Sequence, residues 1–164
     1  MNINENDFDI LLQKTTPVTR RRLLIARNYI KEFYREMPFD IKNSDSIRVK
    51  TDYIFNWLSK NVPYDWSAVS NFRLKSDRFD AMDHVSTILH GKGVCAGRST
   101  LFKILANNYF LKIPCYVVLG MAGDLNHELN EVILENGESV FYDLSNQSNK
   151  KATSFQDSSI EREH

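Results

Sequence analysis

The stretch from Gly91 to Ser99 carries the residue of this chain best suited to nucleophilic chemistry. It reads Gly-Lys-Gly-Val-Cys-Ala-Gly-Arg-Ser, so a turn rich in glycine leads Cys95 into the start of an apolar helix. A thiol attacks as the thiolate, and the unpaired N–H groups and the dipole at a helix start lower its pKa. Gly93 and Gly97 remove side chains on either side of the cysteine, which predicts room for a substrate backbone beside the sulfur.

A possible base and acid for this thiol lie near the end of the chain. An apolar run over 127–134 is joined to a second run over 139–144 by the pair Asn136-Gly137. Asn-Gly between two such runs is the strongest short-range signal for a β-hairpin. The two runs are therefore expected to be antiparallel neighbours.

Cys95 alone is better explained as a small buried residue beside a turn, and the hairpin changes that interpretation. His127 opens the first run and Asp143 stands near the end of the second, so both lie at the same end of the hairpin, with an offset that a bulge or a staggered start would close. An acid beside an imidazole fixes its tautomer and stabilises the imidazolium, which in turn stabilises a thiolate. These residue types predict a catalytic triad of Cys95, His127 and Asp143.

The elements that would position these residues are helices followed by strands. Apolar residues at helical spacing predict helices over 18–36, 47–60, 83–89 and 96–112. The last of these is apolar nearly all round, as expected of a buried central helix. A branched apolar run over 115–120 adds a strand to the hairpin. We therefore expect an α+β fold in which N-terminal helices and a central, cysteine-bearing helix pack on a small antiparallel sheet.

The length of 164 residues fits one domain with a single core. We assign 1–17 to a polar lead-in, 18–146 to the folded domain and 147–164 to a polar, mobile tail. Residues 64–80 mix aromatic and polar side chains with neither period, which predicts a long loop of the kind that often forms a lid or a binding wall.

The motifs also resemble those of a known family. Gly-Val-Cys-Ala-Gly at 93–97, His127 followed by Asn130, and Phe-Tyr-Asp at 141–143 are similar to the Cys, His and Asp motifs of the transglutaminase-like superfamily. Members of that superfamily share a papain-like core, and the resemblance extends over roughly 50–146. It implies a papain-like arrangement of the helices and the sheet.

The resemblance implies acyl transfer through a thioester. Cys95 would attack a carboxamide or peptide carbonyl, His127 would carry the proton and Asp143 would orient His127. Water or an amine would then resolve the acyl-enzyme, as in a protease, a deamidase or a transglutaminase acting on protein or peptide amides. The backbone N–H of Cys95 is the expected first oxyanion donor, and Tyr64 or Trp66 is a candidate for the second.

Two other functions stay open. The chain could be a catalytically silent binding module that uses the 64–80 loop to hold a partner, or an acyltransferase that uses the same triad on small amines. The residues that could suggest a metal site are Asp80, Asp83, His84 and His90. They contain no Cys-x-x-Cys or His-x-x-x-His spacing, so no metal site is predicted, and nothing implies a cofactor. His84 is either solvent-facing or part of the substrate approach.

The composition bounds the partners and the compartment. Lys and Arg number 21, as do Asp and Glu, so no basic surplus favours nucleic acid. No apolar stretch reaches the ~20 residues that span a bilayer, and the N-terminus lacks the pattern of a secretory signal. With two cysteines and no disulfide framework, the expectation is a cytoplasmic protein, although export by a route without a cleaved signal would leave the same sequence. The expected partner is a protein or peptide substrate, with neither nucleic acid nor membrane, and the oligomeric state is not indicated.

Overall fold

Helices come first in the chain and strands follow, in a computed structural model that describes residues 9–10, 13–70, 81–122, 125–145 and 161–163. The helices are α1 (Pro17–Glu36), α2 (Phe39–Lys42), α3 (Ile47–Asn61), α4 (Trp66–Ser70), α5 (His84–His90) and α6 (Cys95–Asn107). The strands are β1 (Cys115–Ala122), β2 (Leu125–Ile133), β3 (Ser139–Tyr142) and β4 (Glu161–Glu163). The predicted order of helices and strands is confirmed. Among the described residues, no helix has the length and apolar character needed to cross a membrane.

The two long N-terminal helices begin at hydroxyl caps. The Thr16 side chain accepts a hydrogen bond from the Thr19 N–H at 3.3 Å, and Pro17 takes the first turn, where its missing N–H costs nothing. At the start of α3, the Ser46 hydroxyl accepts from the Val49 N–H at 3.3 Å. Each cap satisfies a donor that the helix cannot pair internally, which explains where both helices start.

The helix α6 is the centre of the molecule. Eight of its residues are buried: Ala96, Gly97, Arg98, Ser99, Leu101, Phe102, Leu105 and Ala106. It packs against α3 and α5 on the helical side and against β1 and β2 on the sheet side. The predicted central helix is therefore confirmed. Its first residue, Cys95, stands on an element that cannot shift without disturbing the core.

The described strands form one antiparallel sheet in the order β3-β2-β1-β4. On β2, the four consecutive residues from Leu129 to Val132 are buried, and because successive side chains point to opposite faces, both faces of this strand are covered. The Asn130 side chain donates from Nδ2 to the Ser99 carbonyl of α6 at 2.9 Å. This bond fixes the sheet against the helix that carries Cys95.

The predicted hairpin joins β2 to β3. Its loop has three residues, Glu135 to Gly137, because the Gly137 N–H donates to the Leu134 carbonyl at 3.0 Å and Gly137 adopts φ +82°. A turn followed by a glycine in the left-handed region is a common three-residue hairpin loop. Glycine is required at that position because other residues rarely adopt this φ.

Some elements extend beyond their predicted limits. The polar break after α1 contains the short helix α2, and the predicted 64–80 loop begins with α4, while its residues 71–80 lie outside the described part of the chain. β1 continues to Ala122 and β2 starts at Leu125. Strand pairing uses backbone groups, so it can run past the apolar side chains that reveal a strand in a sequence.

The predicted lead-in and tail lie mostly outside the described residues. Within the lead-in, residues 9–10 are helical, and Asp9 pairs with Arg27 of α1 at 3.0 Å. Within the tail, predicted to be mobile, β4 pairs with β1. The polar sequence of these three residues does not predict a strand, but an open sheet edge offers the backbone partners that make one.

Candidate active site

Cys95 is the first residue of α6, and its side chain is partly buried. Burial raises the pKa of the Cys95 thiol, but hydrogen bonds from the His127 ring and the Glu128 backbone N–H, together with the charge of His127, outweigh burial and lower it below its usual value. The Glu128 carboxylate opposes this lowering. A thiol at a helix start with such donors is activated toward nucleophilic attack.

His127 links this thiol to Asp143. Its Nε2 lies 3.0 Å from Asp143 Oδ2, and both side chains are largely shielded from solvent. The hydrogen bond to Asp143, followed by the hydrogen bond to Cys95, raises the pKa of His127 to about 10 against the effect of burial. Burial raises the pKa of Asp143, but the hydrogen bond to His127 and its charge bring it below the usual value. Near neutral pH the imidazolium therefore lies between the Asp143 carboxylate and a thiol whose pKa it lowers.

The hairpin register explains how His127 reaches Asp143. Asn130 pairs with Tyr142, so continuing the same register sets Asp143 opposite Leu129. His127 comes two residues before Leu129 on β2. It is thus a diagonal neighbour of Asp143 on the same face of the sheet. Between Ile133 and Asn130 the ladder keeps one register, and the remaining offset between His127 and Asp143 is spanned by this diagonal.

A buried tyrosine and a local turn position Asp143. Tyr142 is fully buried, and its hydroxyl is hydrogen-bonded to Thr51 at 2.8 Å and to Asp52 at 2.7 Å, which ties the end of β3 to α3. On the other side, the Ser145 N–H donates to Asp143 Oδ1 at 2.8 Å. The carboxylate is therefore held from both directions along the chain, leaving Oδ2 for His127.

Arg98 is a component of the site that the sequence analysis missed. It lies one turn after Cys95, is only 3% exposed, and donates from Nη1 to the Leu144 carbonyl. Its guanidinium lies 5.9 Å from the centre of the Tyr64 ring. Burial lowers the pKa of Arg98 to about 10, while attraction to Tyr64 and Asp143 works to raise it. Its signal in the sequence was a charged residue in a helix that is apolar nearly all round.

Gly93 and Gly97 serve packing, which differs from the predicted substrate access. A Cβ on Gly93 would lie 2.5 Å from Thr87 Oγ1 and 3.2 Å from the Ala81 carbonyl oxygen. A Cβ on Gly97 would overlap the same two groups. The two glycines therefore let α5 and the chain before it lie directly against the nucleophile turn.

Of the two candidate oxyanion donors, Tyr64 contacts Cys95. Tyr64 forms a parallel bridge with Gly93, and burial, followed by the nearby Cys95, raises the pKa of its phenol. The Trp66 ring lies 4.6 Å from the Tyr64 ring and is half-exposed. The segment before α4 thus forms one wall beside the thiol.

Two of the residues considered for a metal site, Asp83 and His84, make other contacts. Asp83 caps α5 by accepting from the Ser86 N–H at 2.9 Å, and it pairs with Arg22 at 2.5 Å. His84 lies 3.8 Å from Asp83, and burial lowers its pKa. Asp80 lies outside the described residues. Within the described ranges, no group of three or more His, Cys, Asp or Glu side chains could hold a metal ion.

Three solved structures are similar to this chain in fold. A TGase structure has a TM-score of 0.60 at 18% identity, covering 97% of this chain and 38% of its own. A candidate cysteine protease from Cytophaga hutchinsonii has a TM-score of 0.53 at 20% identity, covering 81% of this chain and 46% of its own. LapG from Legionella pneumophila, treated with EGTA, has a TM-score of 0.51 at 14% identity, covering 98% of this chain and 80% of its own.

The chain is thus shorter than these proteins and spans less than half of the first two. No curated protein matches its sequence. The family model of the transglutaminase-like superfamily matches residues 35–144, a range that contains Cys95, His127 and Asp143. This match covers more than half of the chain and agrees with the helices and the antiparallel sheet seen here. The chain belongs to the transglutaminase-like superfamily.

Proposed function

We propose that this chain is a cysteine-dependent acyl-transfer enzyme that acts on amide bonds of proteins or peptides through a thioester. One observation carries the proposal: the His127 ring lies between the two acids, with Nε2 3.0 Å from the Asp143 carboxylate and with an influence on Cys95 that lowers the pKa of its thiol. Membership of the superfamily and the likeness in fold to a TGase and a candidate cysteine protease support it.

In the first step, the Cys95 sulfur attacks the amide carbon and a C–S bond forms. The negative charge that develops on the carbonyl oxygen is stabilised by the backbone N–H of Cys95 at the start of α6. The C–N bond then breaks, and His127 gives its proton to the departing nitrogen. A ring whose pKa is raised to about 10 carries that proton at neutral pH.

In the second step, water or a primary amine attacks the thioester carbon. His127, now neutral, takes a proton from the attacking group, and the C–S bond breaks to release the thiolate. Water gives a carboxylic acid, as in a protease or a deamidase, whereas an amine gives a new amide, as in a transglutaminase. Both outcomes use the same three residues.

Trapping the acyl-enzyme tests this proposal. The wild-type chain is incubated with a glutamine-containing peptide and quenched in acid, which stops attack on the thioester, and the intact mass and the tryptic map are compared with those of Cys95→Ala. We expect an adduct on Cys95 that corresponds to the peptide minus ammonia, and none in Cys95→Ala. Cys115→Ala is the matched control, because Cys115 is buried and burial raises the pKa of its thiol, so it should leave the adduct unchanged.

The result also separates the alternatives. No Cys95 adduct from any amide or ester, together with an ordinary thiol pKa at Cys95, would contradict the enzyme and favour a binding module. Cys95-dependent hydrolysis of an acyl-CoA without reaction with peptides would favour an acyltransferase acting on small amines. Adding a primary amine to the wild-type protein shows whether water or an amine accepts the acyl group. An amide product appears only if the amine competes with water.

A further inference from the structure

Ser99 joins α6 to β2 about one helical turn after Cys95. It is only 2% exposed; its hydroxyl donates to Glu128 Oε2 at 3.2 Å, and its carbonyl accepts from Asn130 Nδ2 at 2.9 Å. Glu128 and Asn130 are two residues apart on β2, so their side chains leave the same face of the strand. A single residue of α6 therefore binds two side chains of the strand that carries His127.

The Glu128 carboxylate is an anion close to the nucleophile. Glu128 directly follows His127 in the chain, and its partner Ser99 comes four positions after Cys95 on α6. Residues four apart on a helix are neighbours on one face, and their side chains lean toward the helix start, which here is Cys95. A nearby anion disfavours a thiolate, so Cys95 ionises more easily when this carboxylate stays away from the sulfur.

The Ser99 hydroxyl has one proton and faces two acceptors. The Glu128 carboxylate lies at 3.2 Å, and the carbonyl of Ala96, in the same helix, lies at 3.1 Å. The charged acceptor forms the stronger hydrogen bond, so the proton favours the carboxylate. Without this bond, the positive end of the α6 dipole and the imidazolium of His127 would attract the carboxylate toward Cys95.

We propose that Ser99 is a positioning residue, whose hydroxyl holds the Glu128 carboxylate about one helical turn behind Cys95 and so keeps it from opposing the thiolate. The inference rests on the proposed acyl transfer by Cys95, and Ser99 acts in it through the carboxylate that it binds. In the described part of the chain, the other ionisable groups that influence Cys95 are His127 of β2 and Tyr64, which precedes α4. Both are kept in the variants that test the proposal.

The ionisation of Cys95 in Ser99→Ala tests this role. Iodoacetamide reacts with the thiolate, so its alkylation rate is measured across a pH series in a Cys115→Ala background. We expect the midpoint in Ser99→Ala to rise by about one pH unit, the effect of one like charge nearby, and the rate below the midpoint to fall about tenfold. Acylation by 4-nitrophenyl acetate uses the same thiolate, so at the same pH its rate should fall in parallel.

Removing the carboxylate as well gives the decisive comparison. In Ser99→Ala/Glu128→Gln, the neutral amide cannot oppose the thiolate wherever it lies, so the midpoint should return to the wild-type value or below it. Glu128→Gln alone should also have a midpoint at or below the wild-type value, because the carboxylate raises the thiol pKa of Cys95. The shift caused by Ser99→Ala should therefore appear only when Glu128 is present, and the four midpoints measure this coupling.

The matched control is Thr100→Val. It removes a hydroxyl from the next residue of α6, whose side chain points about 100° away around the helix. Both the alkylation midpoint and the acylation rate should stay unchanged in this variant. Urea unfolding of each variant shows whether the chain is folded at the pH values used.

Other outcomes overturn the role of Ser99. An unchanged midpoint in Ser99→Ala would mean that the hydroxyl does not restrain the Glu128 carboxylate. A shift that persists in the double variant would mean that Ser99 acts through the fold of α6 and not through Glu128. These results leave the proposed function standing, whereas wild-type protein without Cys95-dependent acylation would overturn both.

Discussion

Cys95, His127 and Asp143 control one another's protonation. Asp143 raises the pKa of His127, and His127 lowers the pKa of Cys95 against the burial that would raise it. The proton donor is therefore charged, and the attacking thiol loses its proton more easily, before a substrate arrives. Both effects depend on the His127 ring, which lies between the two acids. His127 is therefore the first residue to replace.

Replacing His127 by Ala should move the ionisation of Cys95 to higher pH. The variant loses the hydrogen bond and the charge that lower the thiol pKa, while burial, which raises it, remains. The rate of iodoacetamide alkylation is measured across a pH series in a Cys115→Ala background. We expect the midpoint of the wild-type curve below that of an ordinary cysteine and the midpoint of His127→Ala above the wild-type value. Coincident curves would contradict the thiol–imidazole coupling.

Arg98 invites a test that separates function from stability. A buried cation with one direct bond, to the Leu144 carbonyl, and an Nε without a partner among the described residues stabilises a fold poorly. We expect Arg98→Met to lower the acylation rate about tenfold or more, because Tyr64 and the turn after Asp143 lose their support. The free energy of unfolding should change by less than about 1 kcal/mol or rise.

Lys103→Met provides the control for this substitution, since it removes a partly exposed cation from the same helix. It should leave both the acylation rate and the unfolding curve nearly unchanged. Arg98→Lys should recover part of the lost rate, because it restores the charge without the planar geometry. Equal losses of activity and stability in Arg98→Met would contradict a positioning role.

At the level of elements, the site depends on close contacts around the start of α6. The helix α5 reaches the nucleophile turn because Gly93 and Gly97 have no Cβ to meet Thr87. On the other side, Asn130 of β2 bonds to the Ser99 carbonyl. The turn is therefore fixed between a helix and a strand, which holds Cys95 and His127 at a constant separation.

A double-mutant cycle at this contact tests the explanation for the glycine. Gly93→Ala should lower the free energy of unfolding by about 1–3 kcal/mol, the usual cost of forcing atoms into a packed site. Adding Thr87→Ala removes both side-chain atoms that the new Cβ would meet, at Oγ1 and Cγ2, and should recover part of that loss. Urea unfolding of the two single variants and the double variant gives the coupling. Additive losses would show that Thr87 is not what requires the glycine.

At the level of the whole molecule, the triad joins parts of the chain that are far apart in sequence. The helices supply Cys95, and the hairpin supplies the other two residues more than thirty positions later. The buried bonds from Tyr142 to α3 connect the same hairpin to the N-terminal half. Stability and the geometry of the site should therefore change together when a charge at this junction is lost.

Lowering the pH should reveal this link between stability and the site. The comparison is between the free energies of unfolding of wild type and Asp143→Asn. The folded-state pKa of Asp143 lies below the ordinary value of an aspartate carboxyl. The carboxylate therefore contributes stability that is fully present above the unfolded-state pKa of about 3.9 and is lost as the pH falls through the folded value. We expect Asp143→Asn to be less stable than wild type at neutral pH, with a difference that shrinks toward pH ~3. Chemical denaturation at both pH values measures it. A difference that is constant or grows in acid would contradict the sign of this shift.

Local signals in the sequence were sufficient for the order of the elements. The apolar period of α6 and the Asn136-Gly137 pair each act within a few residues, so the sequence alone predicted the central helix, the hairpin and an α+β fold. The residue types also identified Cys95, His127 and Asp143 as candidates, since thiol, imidazole and carboxylate are chemically distinctive.

Only the tertiary structure decided how these parts meet. The diagonal from His127 to Asp143, the packing of Gly93 against Thr87 and the contact of Tyr64 with Cys95 join residues that no local pattern connects. The apolar periodicity of α6 did not identify Arg98, because the role of Arg98 comes from its burial beside groups on other elements. A sequence pattern reports which way a side chain faces along its own element, and what it faces depends on long-range packing.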